Sequence, residues 1–175
     1  MLVLSLLIIF GSCEKKCEDI NIEIKEIMGE WYRKKILFPK EMTLLNNPKY
    51  NITENKNFTI VHFFAADCDK CIDELNKILF TLNDNDMQSQ VNIIFISSAP
   101  SKNHVLDVIE KVEMVFPVFY DKHYYSYKLS NDFPISEEAY NTVLLNSKNE
   151  ILIFGAFYDN SKALELYLKA INCTL

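Results

Sequence analysis

The sequence has no excess of basic residues, no internal repeat and no low-complexity tract. Its 175 residues include 18 Lys and Arg against 24 Asp and Glu, which gives a net charge of -6. Because nucleic-acid binding relies on a basic surface, this balance argues against a nucleic-acid partner. No long linker divides the chain, and 49% of its residues are hydrophobic, which excludes a disordered chain. We therefore expect one folded body with a sizeable core.

The sequence also has no apolar run long enough to span a bilayer. The run at residues 2–10 is much shorter than the roughly 20 residues that a membrane helix needs. Small residues and then charged residues follow it, as in a signal-peptide cleavage site. Cys13 stands directly after Gly-Ser, which resembles the bacterial lipobox, in which the cysteine is lipidated. We expect a lipoprotein signal peptide at 1–12 and lipidation at Cys13, with ordinary secretion after cleavage near Ser12 as the alternative.

The most informative stretch joins a buried strand to a helix through two cysteines. Residues 59–66 are mostly β-branched, aromatic or small, as in a buried strand. Cys68-Asp69-Lys70-Cys71 follows, and the apolar residues after it recur at helical spacing. Backbone N–H groups and the helix dipole at such a junction stabilise an anion, which favours a thiolate at Cys68. Cys71 lies one turn further along the same helix face, within reach of a disulfide.

The rest of the chain alternates between predicted strands and helices. An extended segment is expected at 34–38, and Pro117 suggests that the strand around it lies at a sheet edge. Strands are expected at 59–66, 91–96, 115–121, 142–145 and 151–154, and helices around 20–31, 72–82, 101–112, 124–129 and 161–171. This order predicts an α/β fold: a central mixed sheet with helices on both faces and an N-terminal helical extension.

Together these features resemble the thioredoxin-like superfamily. A CxxC motif that follows a buried strand and opens a helix is much more specific than CxxC alone. The segment Phe116-Pro117-Val118-Phe119-Tyr120-Asp121 and the later hairpin are similar to the redoxin branch. With the lipobox and a Trp-containing helix, the chain resembles thioredoxin-like lipoproteins of Bacteroides-type bacteria. The resemblance implies a thioredoxin-like domain at 57–175, preceded by an N-terminal extension at 13–56.

The resemblance also implies an activity. It implies an extracytoplasmic thiol–disulfide oxidoreductase that reduces protein disulfides with a CxxC dithiol. Cys68 is expected to attack, and Cys71 to resolve the mixed disulfide. The implied partners are protein clients, an upstream redox partner and the membrane, reached through the lipid at Cys13. The expected location is the bacterial cell envelope, facing the periplasm, and neither an organic cofactor nor a metal is implied.

The residues around the cysteines depart from the thioredoxin pattern. His62 stands six residues before the first cysteine, where thioredoxins have a buried carboxylate, and is either a proton acceptor or a core histidine. Asp67 and Asp69 oppose ionisation of Cys68, whereas Lys70 and the helix end favour it. We expect a modestly lowered pKa for Cys68. We also expect a potential nearer to the roughly -270 mV of thioredoxin than to the roughly -120 mV of the oxidant DsbA.

The cis-proline that thioredoxins place before the first hairpin strand is missing. The aligned residues are Tyr140, Asn141 and Thr142, which we expect to form the substrate-facing loop. The missing proline leaves two alternatives open. One is a binding lipoprotein that keeps the fold without turnover. The other is a metal-binding module built on the two cysteines with His62 or with ligands from another chain. A peroxidase is disfavoured, because the residues before the first cysteine lack the required Thr and Pro.

Two further cysteines, Cys17 and Cys173, lie near the two ends of the sequence. They could pair in an oxidising compartment. Chain termini are often close together in folded domains, but not always, so the sequence leaves this pairing open.

Overall fold

The computed structural model describes residues 17–50, 52–53, 55–66 and 69–173, and of Asp69 only the backbone. The predicted signal peptide, the predicted lipidation site at Cys13, and the residues Asp67 and Cys68 lie outside the described residues. No helix within the described residues is long and apolar enough to cross a membrane.

Six strands and six helices make up the described fold, together with two short 3₁₀ turns. The strands are β1 (Met42–Leu44), β2 (Phe58–Ala65), β3 (Asn92–Ser98), β4 (Val118–Asp121), β5 (Thr142–Asn146) and β6 (Ile151–Phe154). The helices are α1 (17–28), α2 (Asp69–Asp84), α3 (Met87–Gln90), α4 (Lys102–Lys111), α5 (Ser126–Ser130) and α6 (Ser161–Asn172). The 3₁₀ turns are Gly29–Trp31 and Glu138–Tyr140.

The strands form one mixed sheet in the order β1-β4-β3-β2-β5-β6. β2, β3 and β4 are parallel, and β1, β5 and β6 are antiparallel to their neighbours. Consecutive positions along β2, β3 and β5 are buried, which is typical of strands covered by helices on both faces. The predicted fold class is confirmed. β2, which leads into the CxxC motif, lies near the middle of the sheet.

A disulfide ties the N-terminal helix to the last helix. Cys17 at the start of the described part of α1 is bonded to Cys173 after α6, with 5.2 Å between their Cα atoms. α1 also buries Ile24 and Met28, which follow the helical spacing read from the sequence. The pairing that the sequence left open is therefore present.

Two details of the sheet differ from the sequence-based expectations. Met42–Leu44, for which the sequence predicts no strand, forms the edge strand β1 beside β4. The expectation of β4 at the edge is wrong, because Pro117 precedes the strand and leaves both of its edges able to pair. The segment 34–38 is extended but forms no strand: Lys35 makes an isolated bridge with Glu150, and the carbonyl oxygen of Lys34 accepts from the N–H of Ile151 on β6.

Candidate functional site

Cys71 lies where β2 gives way to α2. Its side chain is buried, with 7% of its surface exposed, and its Sγ donates a hydrogen bond to the carbonyl oxygen of Ala65. The second cysteine of the motif is therefore a buried thiol at the predicted strand-to-helix junction. Cys68 and Asp67 lie outside the described residues, as does the side chain of Asp69, so their roles stay predictions.

Glu74 lies one helical turn after Cys71 and on the same face of α2. Its side chain is 17% exposed and accepts a hydrogen bond from the hydroxyl of Tyr158. Burial raises the pKa of Glu74, and this outweighs the opposing effect of the Tyr158 hydrogen bond. A carboxylate with a raised pKa, one helical turn from a thiol, is suited to accept the thiol's proton.

The sequence analysis missed Glu74, although a signal is present. Cys71, Glu74, Leu75 and Ile78 follow the spacing of one helix stripe, and the other three members of this stripe are buried. A lone acidic residue on an apolar stripe next to a cysteine indicates a buried carboxylate.

His62 lies on β2 and is completely buried. Its Nδ1 is 2.8 Å from the hydroxyl oxygen of Thr142. Its Nε2 has no hydrogen-bond partner and lies 4.0 Å from Oε1 of Glu74. Desolvation, with a smaller contribution from the charge of Lys128, lowers the pKa of His62 to about 3. The imidazole is then neutral near pH 7, so the contact with Glu74 is no ion pair. A lowered pKa makes His62 a weak base, whereas the pKa of Glu74 is raised, so Glu74 is the better candidate for the proton acceptor.

The predicted substrate-facing loop lies beside the same end of β2. The carbonyl oxygen of Asn141 accepts a hydrogen bond from the N–H of Phe63 at 2.7 Å. Thr142 begins β5 and pairs with His62 in the sheet. Every peptide bond within the described residues is trans. The loop therefore contacts β2 through its backbone at Phe63, two residues before the last residue of the strand.

Aromatic rings join this loop to the N-terminal segment. The ring of Tyr140 lies 4.8 Å from that of Phe154 and 5.8 Å from that of Trp31, measured between centroids. Phe133 packs against Trp31 at 5.5 Å, and Nζ of Lys34 lies 4.2 Å from the Trp31 ring. The loop is thus packed against residues of the predicted extension.

Lys70 lies beside a polar cleft. Its Nζ pairs with Glu138 at 2.6 Å, and both side chains are well exposed. Lys77 and Asp159 pair at 2.8 Å, and all four residues line a cavity of about 850 Å³. Ligand clefts span about 300–1,000 Å³, so the volume of this cleft lies within the range of binding sites.

No group of three or more His, Cys, Asp or Glu in the described part of the chain is placed to hold a metal ion. Because Cys68 lies outside those residues, the metal-binding alternative stays untested.

A scan against protein-family models finds no match, and neither does a search of curated proteins. Solved structures do match. A domain of a possible thiol-disulfide isomerase from Cytophaga hutchinsonii has a TM-score of 0.57 at 18% identity, over 81% of this chain and 95% of that one. The thioredoxin domain of a thiol-disulfide oxidoreductase from Bacteroides vulgatus has a TM-score of 0.50 at 14% identity, and the match covers 63% of this chain and 81% of that one. A candidate protein disulfide isomerase from Bacteroides thetaiotaomicron has a TM-score of 0.56 at 16% identity, and the match covers 79% of this chain and 86% of that one.

These similarities concern the fold of the chain. The chain has a thioredoxin-like fold, as the sequence predicts. The neighbours named above are described as thiol–disulfide enzymes, and they share the sheet and its flanking helices with this protein.

Proposed function

We propose that this protein is an extracytoplasmic thiol–disulfide oxidoreductase that reduces disulfides of client proteins with the Cys68–Cys71 pair. The observation that carries the proposal is the surroundings of Cys71. Its buried thiol lies at the strand-to-helix junction of a thioredoxin-like fold, one turn before Glu74, whose pKa is raised. This arrangement suits a resolving cysteine, which must lose a proton before it can attack.

The reaction follows two exchanges. The Cys68 thiolate attacks one sulfur of the client disulfide, so that a mixed disulfide forms and a client thiolate leaves. Cys71 passes its proton to Glu74 and attacks Sγ of Cys68. The Cys68–Cys71 disulfide then forms as the second client thiolate leaves. Two electrons pass to the client, and an upstream dithiol partner must supply two electrons to restore the pair.

The residues within and before the motif are proposed to tune Cys68. Lys70 and the start of α2 favour its thiolate, whereas Asp67 and Asp69 oppose it. His62 contributes through Glu74, because its neutral imidazole faces that carboxylate at 4.0 Å. We propose a reducing pair on these grounds.

We further propose that a lipid at Cys13 holds the protein at the bacterial cell envelope, facing the periplasm. The disulfide between Cys17 and Cys173 supports a location outside the cytosol, since such bonds persist in oxidising compartments. Labelling with a radioactive fatty acid, compared between the wild type and Cys13→Ala, tests the anchor.

The first test of the activity is the redox potential of the Cys68–Cys71 pair, measured against glutathione and dithiothreitol buffers. We expect a reversible couple nearer to about -270 mV than to about -120 mV. Cys71→Ser should accumulate mixed disulfides with clients through Cys68. A pair that does not cycle, or that stays reduced with metal bound, contradicts the proposal in favour of the binding or metal alternative.

Glu74→Gln tests the proton acceptor. We expect a roughly 100-fold slower resolution of a preformed mixed disulfide at neutral pH, because general base catalysis typically contributes about 10²–10⁴-fold. The attack by Cys68 should keep its rate. Asp73→Asn is the matched control, since Asp73 precedes Glu74 and also lines the cleft. Equal resolution rates in the two variants would exclude Glu74 as the acceptor.

A further inference from the structure

A buried lysine lies beneath the segment that leads to the substrate-facing loop. Lys128, in α5, is 1% exposed. Its Nζ donates to the carbonyl oxygens of Pro134, Ile135 and Glu137, at 3.2, 3.1 and 3.5 Å. An ammonium has three N–H donors, so these carbonyls engage all of them. Lys128 takes part in none of the ion pairs between described residues. A buried cation with no carboxylate in ion-pair contact is costly in free energy, so its presence needs an explanation in the structure.

The bound carbonyls belong to a segment that is exposed on its outer side. Residues 135–139 are all exposed, and their regular structure is a single 3₁₀ turn, Glu138–Tyr140. The carbonyls of Pro134 and Ile135 accept no backbone hydrogen bond in the described part of the chain. The Lys128 ammonium is therefore a main inner attachment of this segment.

The same ammonium also contacts the strand that leads into the CxxC motif. Nζ of Lys128 lies 5.3 Å from the centroid of the Phe63 ring on β2. The N–H of Phe63 donates to Asn141 at the far end of the segment, and Glu138 in its middle pairs with Lys70 of the motif. Lys128 thus connects β2 and the segment 134–141, which meets the motif at Lys70.

We propose that Lys128 is a positioning residue for disulfide exchange: its ammonium fixes the segment 134–141 against β2, so that the loop receiving the client chain keeps one geometry. The inference rests on the function proposed above. It predicts that loss of the ammonium impairs reduction of folded or long clients, which must contact the loop. Reduction of a small disulfide, which reaches Cys68 without the loop, is spared.

Lys128→Met tests this, because methionine has a similar length and no donor. We expect kcat/KM for insulin disulfides to fall at least ten-fold. The rate with glutathione disulfide should stay within two-fold of the wild-type rate. The midpoint potential of the CxxC pair should not change. Lys122→Met is the matched control, since Lys122 is half-exposed and pairs with Glu41, and it should change neither rate. An equal loss with both substrates, or no loss, overturns the inference.

The two proposals fail in distinguishable ways. If the wild type reduces neither insulin nor glutathione disulfide, the proposed function fails. If the wild type reduces both and Lys128→Met does the same, only the role of Lys128 fails.

A second measurement needs no variant and so covers the case in which Lys128→Met does not fold. Burial lowers the pKa of Lys128, and nearby carboxylates partly oppose this. The titratable and charged groups around its ammonium are Glu74, Glu137, Glu138 and the neutral imidazole of His62. In a carbon-detected NMR titration of the wild type, the backbone carbonyl carbons of 135–141 should shift with the midpoint of the Lys128 Cε resonance, below the midpoints of exposed lysines. Loop carbonyl carbons that do not respond while Lys128 titrates would overturn the inference.

Discussion

The two ends of the central sheet differ in what they bury. The end where β2 meets α2 contains most of the buried polar side chains: His62, Ser97, Ser98, Asp121, Lys128, Asn131 and Thr142. At the opposite end the buried side chains of β2, β3, β5 and β6 are apolar apart from Asn92: Phe58, Ile60, Ile93, Leu144, Leu145 and Ile151. Since burying polar groups costs more than burying methyl groups, stability alone does not explain the polar end. One end therefore supplies apolar burial, whereas the other gathers polar groups at the junction where the CxxC motif lies.

Hydrogen bonds offset most of the free-energy cost of burying the polar groups at this end of the sheet. Asp121 accepts from the hydroxyl of Ser126 and from the N–H of Tyr127, and Asn131 bonds the backbone of Leu37 in both directions. Nε2 of His62 and the hydroxyl of Tyr127 are the buried side-chain atoms of the described chain without a partner. The nitrogen left unpaired is therefore the one that faces Glu74.

The largest effect on stability is expected at the apolar end. Leu144→Ala should lower the free energy of unfolding by about 2–5 kcal/mol, because it leaves a cavity in a fully buried layer. The redox potential of the CxxC pair should not change. Urea unfolding measures the first quantity, and Leu129→Ala is the control, since Leu129 is 58% exposed and should cost about 0.5 kcal/mol or less. A shifted potential in Leu144→Ala would break the division between the two ends.

At the polar end we expect an effect on pH dependence. Burial lowers the pKa of His62 from 6.5 to about 3, so between these values the unfolded chain binds a proton that the folded chain does not. Stability therefore rises with pH across that window, by about 1.4 kcal/mol per pH unit. His62→Gln should remove this part of the slope in urea unfolding at a series of pH values. His104→Gln, at an exposed position on α4, should keep it. Identical slopes in the wild type and His62→Gln would contradict a neutral buried imidazole.

The smallest effect is expected on the surface of the polar end. Glu138→Gln breaks the ion pair with Lys70, but both side chains are more than half exposed. The free energy of unfolding should change by less than about 1 kcal/mol, and by less still at high salt. Thermal unfolding in low and high salt measures this. A loss of several kcal/mol that salt does not reduce would show that the segment 134–141 is a stability element.

The apolar end was the more predictable of the two. The apolar run of β2 identifies a strand because helices on both faces bury consecutive residues. The spacing of α6 identifies a helix because burial acts on every third and fourth residue. β1 was missed because three residues, of which two are exposed, have no such pattern. The position of β4 was wrong because a proline blocks pairing only within a strand.

The candidate site was predictable only where the residue types and their spacing in the sequence indicate the chemistry, as the CxxC motif does. Glu74 follows from the helix stripe once the helix is known. Lys128 could not be found, because its partners are backbone carbonyls, which give no pattern of residue types. The bond between Cys17 and Cys173 depends on where the chain termini meet in space, and a single sequence does not contain that information.

The disulfide between Cys17 and Cys173 also limits the length of the segment between the proposed lipid and the folded body. If Cys13 carries the proposed lipid, three residues separate it from Cys17, and the four Cα–Cα steps between the two cysteines span at most about 14 Å. While Cys17 is bonded to Cys173, unwinding of α1 cannot lengthen this connection. After reduction and release of α1, the connection would extend as far as Trp31, to about 60 Å. The bond would therefore decide whether the body works against the membrane surface or reaches clients well away from it.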